Sequence, residues 1–250
     1  MRSIRRSARQ LATALLPAIL VLATLIGGGK PAHAQETVDL QLVLAVDASG
    51  SMSEERFELQ RHGYVAAFRN PRLLAAIRSG TTRSIAVTMV QWTGPALQVQ
   101  VVPWTRIGDE ASMHAVADAI SRVPRQLFGG GTSISGAIDF AMTLFPNTPL
   151  QAKRRVIDIS GDGANNRGRD VANARNEAVR AGVGINGLPI LAVEPDLERH
   201  YLDEVIGGPG AFVVAAQSYE TFAEAILKKL VIEISGTGAP VDSRRQARLR

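Results

Sequence analysis

The sequence predicts an α/β protein: a doubly wound, mostly parallel six-stranded sheet with one antiparallel edge strand and helices on both faces. Three observations predict it. Residues 42–46 (Leu-Val-Leu-Ala-Val) are an uncharged apolar run that stops abruptly on Asp47, the pattern of a strand buried on both faces. Further apolar runs alternate with stretches of helical period, which calls for parallel strands joined by crossover helices. Only Thr93-Gly94-Pro95 separates the second and third strands, too little for a crossover helix, so those two form an antiparallel hairpin.

The first 34 residues stand apart from this pattern. Arg2, Arg5, Arg6 and Arg9 precede any acid, residues 11–26 are apolar apart from two threonines, and Ala32-His33-Ala34 comes before Gln35. A charged start, an apolar middle and an A-x-A site predict a signal peptide over residues 1–34, cleaved after Ala34. The protein is then exported, to the periplasm or beyond. The apolar run is short for a membrane span, so no transmembrane segment is expected in the mature chain. Ser7-Ala8-Arg9 fits a twin-arginine signal poorly, which leaves ordinary secretion.

Removing this leader changes the charge balance. It holds five of the 28 basic residues and none of the 23 acids, which leaves 23 of each sign. The high pI therefore gives no ground for nucleic-acid binding. The chain has no cysteine, which excludes disulfides, a thiol nucleophile and thiolate metal sites. Residues 35–236 suit one α/β domain. Residues 237–250, with Arg244, Arg245, Arg248 and Arg250, read as a disordered basic tail.

Within the domain the elements follow in order. After the strand ending at Asp47, Ser53-Glu54-Glu55-Arg56-Phe57 reads as a capped helix start. Phe57, Tyr64, Val65 and Phe68 mark its buried face, and it is expected to stop near Asn70-Pro71. Residues 83–92 and 96–103 are the hairpin strands. Met113, Val116, Ala117 and Ile120 mark a second helix that Pro124 closes. A glycine loop, Gly129-Gly130-Gly131-Thr132-Ser133, precedes a third helix marked by Ile134, Ile138, Ala141 and Phe145. Residues 154–159 form the fourth strand and run into Ser160-Gly161-Asp162-Gly163. A helix over 169–181 ends at Gly182. A fifth strand lies within 185–193, a short helix over 197–206 and a last strand over 211–216. Phe222, Ile226, Leu230 and Ile234 define the final helix.

Asp47-x-Ser49-x-Ser51 places one carboxylate and two hydroxyls within five residues at the carboxyl end of a central strand, where open α/β sheets hold their ligands. Such oxygens suit a small hard cation such as Mg²⁺. The same stretch also reads as a strand-to-helix turn in which Asp47 caps backbone N–H groups. Gly131-Thr132 and Gly161-Asp162-Gly163 belong to the same sheet edge, so their oxygens can converge with the first three. The Asp162 side chain is expected to point into solvent there.

At these residues the chain resembles the von Willebrand factor type A domain and its metal-ion-dependent adhesion site, whose pattern is Asp-x-Ser-x-Ser, a later threonine and an aspartate after the fourth strand. Asp47, Ser49, Ser51, Thr132 and Asp162 match it, and the resemblance spans residues 38–235. More narrowly, residues 63–69, 154–163, 185–190 and 205–212 resemble a bacterial family of exported proteins of unknown function with this fold. The resemblance implies that Ser49, Ser51 and Thr132 coordinate Mg²⁺ (or Mn²⁺ or Ca²⁺), and that Asp47 and Asp162 act directly or through water. It implies a non-enzymatic binding module whose protein partner presents an Asp or Glu to the metal.

Other patterns carry less. Gly182-Val183-Gly184-Ile185-Asn186-Gly187 spells G-x-G-x-x-G but follows a helix and precedes a strand, the reverse of a dinucleotide site. His62, His114 and His200 lack zinc-site spacing. Glu54 and Glu55 suit a helix N-terminus. Trp92 and Trp104 read as core or rim packing, and Asn165, Asn166 and Arg167 as rim or loop residues. Two alternatives to the binding module stay open. One is an assembly protein of the envelope with no functional metal. The other is a Mg²⁺-dependent phosphoryl-transfer enzyme with Asp47 as nucleophile, which would lack the usual second carboxylate because Ser49 stands there.

Overall fold

The computed structural model describes residues 36–236; the expected leader, its expected cleavage site and the expected tail lie outside them. Its elements are β1 (Glu36–Thr37), β2 (Leu40–Asp47), α1 (Glu54–Ala67), α2 (Pro71–Arg78), β3 (Ile85–Trp92), β4 (Gln98–Ile107), α3 (Glu110–Ser121), α4 (Ile134–Leu144), β5 (Leu150–Gln151), β6 (Arg154–Gly161), α5 (Val171–Arg180), β7 (Val183–Pro189), α6 (Leu197–His200), which continues as a π-helical turn (Tyr201–Val205), and α7 (Phe222–Ser235).

The main sheet has the order β4-β3-β2-β6-β7. Only the β3–β4 pair is antiparallel, as the short Thr93-Gly94-Pro95 link requires. β2 is central and all eight of its residues are buried. Its pleat divides them. Leu40, Leu42, Leu44 and Val46 face a core shared with α1, α2, α3 and α7. Val43 and Ala45 face the core under α4, α5 and α6.

Five strands form this sheet where six were expected. Residues 211–216 do lie along β7, with Gly187 bridging Val213 and Ile190 bridging Ala216 in one parallel register. Between those bridges the ladder needs a donor at position 189, and Pro189 has no N–H. The sixth strand is thus reduced to two separate bridges. A second small sheet, β1 with β5, was not anticipated.

The first helical segment also differs from expectation. α1 stops at Ala67, and Asn70 then caps a new helix by accepting from the Arg72 N–H at 3.0 Å, with Pro71 in its first turn. Proline there loses no helical hydrogen bond. Ser53 caps α1 as expected, accepting from the Arg56 N–H, and Glu54 and Glu55 occupy its first turn. Gly182, at φ +76°, follows α5 and leads directly into β7, so the G-x-G-x-x-G stretch has neither the strand before it nor the helix after it that a dinucleotide needs.

Inside the α7 face, the polar Asp158 of β6 is buried against Lys229 of α7, Nζ to Oδ1 at 2.6 Å. Glu233 lies 3.6 Å from the same ammonium and accepts from Asn186 at 2.6 Å. Burial raises the Asp158 pKa to about 6, although Lys229 opposes the rise. This cluster fixes α7 on β6 four residues upstream of Asp162.

Candidate metal centre

β2 and β6 run parallel and in register, with Val46 opposite Ser160, so both strands deliver a carboxylate to the same edge. Asp47 ends β2, and Asp162 follows the last residue of β6. Both are fully buried. This corrects the expectation that Asp162 points into solvent: the residues on either side of the edge fold over it. Ser51 Oγ donates to Asp162 Oδ1 at 2.7 Å and the Tyr219 phenol donates to Oδ2 at 2.8 Å. Arg56 Nη1 stands 3.9 Å from Oδ2.

The two oxygens of Asp47 are held unequally. Oδ1 accepts from the Ser49 N–H at 2.7 Å, a cap on the turn that follows β2. Although the Ser49 hydroxyl and the Asp162 N–H are close enough to favour the charged carboxylate, Oδ2 is buried and makes no well-formed hydrogen bond among the described residues. Gly161 leaves room for it, since a Cβ there would come within 2.9 Å of that oxygen. Burial, and next the charge of Asp162, push the Asp47 pKa up to about 7. A buried carboxylate oxygen that lacks a well-formed hydrogen bond and feels the charge of a second carboxylate is costly unless a proton or a cation offsets it.

The hydroxyls complete the arrangement. Ser49 Oγ and Ser51 Oγ lie 3.1 Å apart, Ser49 buried and Ser51 exposed. Thr132 is buried at the end of the glycine loop. The residues after Asp162 hold it: Asn166 N–H and Arg167 N–H both donate to the Thr132 carbonyl, and Asn166 Oδ1 accepts from the Thr132 N–H at 3.0 Å. Asn165 Oδ1 likewise accepts from the Ser135 N–H. Direct contacts thus join Ser49 to Asp47 and to Ser51, and Ser51 to Asp162, while Thr132 is held through the loop that follows Asp162. Among the described residues no group of three or more His, Cys, Asp or Glu could hold a metal. The site offers two carboxylates and three hydroxyls, a donor set of oxygens alone that fits a hard divalent cation.

Several residues of this site gave no signal in the sequence. Arg125, after α3, donates to the carbonyls of Met52 (2.7 Å), Ala48 (3.0 Å) and Ser49 (2.7 Å), and so clamps the loop that carries the serines. Gln60 of α1 donates to the Asp47 carbonyl and accepts from Ser160. Glu194 accepts from the Ala164 N–H. Tyr219 and Arg56 close over Asp162, with the guanidinium 5.5 Å from the phenol ring. The Gln60 position follows the period of α1, but nothing local marks Arg125 or Tyr219. Trp92 is fully buried, in the core under α4.

A family model described as a protein of unknown function, DUF1194, matches residues 37–238. The chain belongs to this family. No curated protein matches it. Among solved structures, proximal thread matrix protein 1 from the mussel byssus is similar at 15% identity and a TM-score of 0.57, over 80% of this chain and 47% of that one. A von Willebrand factor type A protein from Catenulispora acidiphila is similar at 20% identity and 0.56, over 80% and 43%. The pilus adhesin SpaC from Lactobacillus rhamnosus GG is similar at 17% identity and 0.56, over 80% and 31%. The DUF1194 chain therefore spans less than half the length of each of these proteins. It has the von Willebrand factor type A fold. One further structure of the mussel protein has a zinc-occupied adhesion-site motif, at 14% identity and a TM-score of 0.53 over 78% of this chain and 45% of that one. Among the described residues no helix is long and apolar enough to cross a membrane.

Proposed function

We propose that this protein is an exported binding module that uses a divalent cation, held by Asp47, Ser49, Ser51, Thr132 and Asp162, to recognise an acidic group on a protein partner. The observation that carries this reading is the buried Asp47 Oδ2, which makes no well-formed hydrogen bond among the described residues and lies within the field of a second buried carboxylate. The zinc-occupied motif in the mussel protein supports a divalent ion at this place in the fold, and Mg²⁺, Mn²⁺ and Ca²⁺ are the candidates for the ion here. A bound cation would supply an electrophilic centre with a position left for a carboxylate from outside. Ser49, Ser51 and Thr132 add no negative charge, so the ion would stay under-neutralised and attract that carboxylate. Ser51, the exposed member, marks the side from which a partner approaches. Without the cation, Asp47 and Asp162 would repel the same carboxylate.

A role in catalysis has less support. Asp47 is fully buried with one oxygen held by the Ser49 N–H, a poor placement for a nucleophile, and position 49 supplies no acid/base carboxylate. A metal-free structural role is favoured by one observation: Ser51 and Tyr219 already satisfy both oxygens of Asp162. The test is a titration of the isotopically labelled domain with acetyl-Gly-Gly-Asp-Gly-Gly-amide, followed by NMR. With Mg²⁺ present, shifts are expected at Ser51 and Thr132 that EDTA abolishes. Identical titrations in Mg²⁺ and EDTA would leave the structural role.

A further inference from the structure

The described residues expose three large apolar side chains: Phe128 at 67%, Val193 at 44% and Leu97 at 42%. All three lie on connections at the carboxyl edge of the sheet, where the candidate metal centre lies. Leu97 is in the β3–β4 turn, Phe128 in the α3–α4 loop, and Val193 in the segment that follows β7.

Two of these side chains border the glycine loop, and one of them is held in place. Arg125, whose guanidinium clamps the Ala48–Met52 loop, stands 4.8 Å from the centroid of the Phe128 ring. The ring is thereby fixed against the loop that carries Ser49 and Ser51. Gly129-Gly130-Gly131 then passes close to its neighbours. A Cβ at Gly50 would lie 3.6 Å from the Gly129 Cα, and one at Gly130 would lie 2.7 Å from Leu97 Cδ1. All three glycines have positive φ, between 73° and 88°, and lead straight to Thr132. Phe128 and Leu97 therefore flank the loop that delivers a candidate metal ligand. Two cationic side chains stand along this strip, Arg125 under Phe128 and Arg167 beside Gly131, while the acidic Glu194 follows Val193 and is tied to the Ala164 N–H.

We infer that this strip is a second part of the partner site, and that it takes an apolar, preferably aromatic, side chain next in sequence to the carboxylate that the metal centre receives. The inference rests on the proposed function and deepens it. Its grounds are the confinement of the large exposed apolar side chains of the described residues to one edge, the placement of Phe128 and Leu97 along the glycine loop that leads to Thr132, and the two arginines beside that loop. An acidic segment with apolar neighbours matches both the charge and the apolar surface. A purely acidic one would leave Phe128 in water, and a purely apolar one would face two arginines. Buried aromatic anchors commonly dominate the energy of such interfaces.

The test compares three peptides by NMR titration in Mg²⁺: acetyl-Gly-Phe-Asp-Phe-Gly-amide, its Asn counterpart, and acetyl-Gly-Gly-Asp-Gly-Gly-amide. The first is expected to bind roughly fivefold or more tightly than the third, and the Asn counterpart to bind no better than the third. Phe128→Ala should bring the first and third peptides to equal affinity while leaving Mg²⁺ binding by calorimetry unchanged. Because Phe128 is exposed, the variant should keep the wild-type melting curve. Equal binding of the first and third peptides to wild type would overturn the inference and leave carboxylate recognition standing. So would a preference that survives Phe128→Ala. Binding of neither acidic peptide in Mg²⁺ would overturn both the inference and the function on which it rests.

Discussion

The phenol of Tyr219 donates to Oδ2 of Asp162 at 2.8 Å, which ties the segment just before α7 to the strand end that carries the candidate metal centre. Burial and the Asp162 charge hold this phenol protonated far above its ordinary range, so it acts as a permanent donor. Tyr219→Phe should destabilise the metal-free protein by about 1–3 kcal/mol, the cost of an unmade bond to a buried group. Saturating Mg²⁺ should shrink that loss, because the cation would offset the carboxylate left short of a donor. Urea unfolding with Mg²⁺ and with EDTA measures both. A loss identical in the two conditions would mean that no cation reaches Asp162.

Stability should fall with rising pH in the absence of metal. The folded-state pKa of Asp47 is about 7 and that of Asp158 about 6, both above the ordinary carboxylate value. Between about pH 4 and 7 the folded protein therefore holds protons that the unfolded chain has released, and stability is lost as pH rises through that window. A divalent cation bound as proposed would take the place of the Asp47 proton, so Mg²⁺ should flatten the Asp47 part and leave the Asp158 part. Asp47→Asn should flatten the same part without metal. Denaturation midpoints at pH 5, 6 and 7.5 check this.

Arg125→Lys keeps the charge and loses the fork that reaches three carbonyls of the Ala48–Met52 loop. A lysine ammonium cannot span those acceptors in one plane. The substitution should lower stability by about 1.5–3 kcal/mol and weaken Mg²⁺ binding by about tenfold. Thermal melts and calorimetry read the two effects separately. Unchanged Mg²⁺ affinity would show that the loop holds its shape without the clamp.

Much of the fold was legible because its signals are local. The apolar run into Asp47, the capped start at Ser53 and the short Thr93-Gly94-Pro95 link each dictate their own stretch of backbone. The interrupted sixth strand was not, because the obstacle sits on its neighbour: Pro189 lacks the donor that residues 211–216 need. The second helical segment was missed because Asn70-Pro71 both stops one helix and starts another. At the site, the sequence marked residues that share a strand end or a loop. It gave no sign of Arg125 or Tyr219, which arrive from 76 and 57 residues away in the chain. Nor did it reveal that Asp162 is buried, since that depends on Tyr219 and Arg56 folding over it.

The central claim is that the two buried carboxylates and three hydroxyls bind a divalent cation. It is tested most directly by calorimetry of Mg²⁺ and Mn²⁺ on wild type and on Asp162→Asn, which keeps the shape of the side chain and its acceptor oxygen. Circular dichroism serves as the folding control. Wild type should bind one ion at about 10⁻⁴ to 10⁻³ M, the range of looser extracellular divalent sites, and the folded variant should show no saturable binding. Equal heats from the two proteins would contradict the account and leave the site as a knot of turn and strand-end hydrogen bonds.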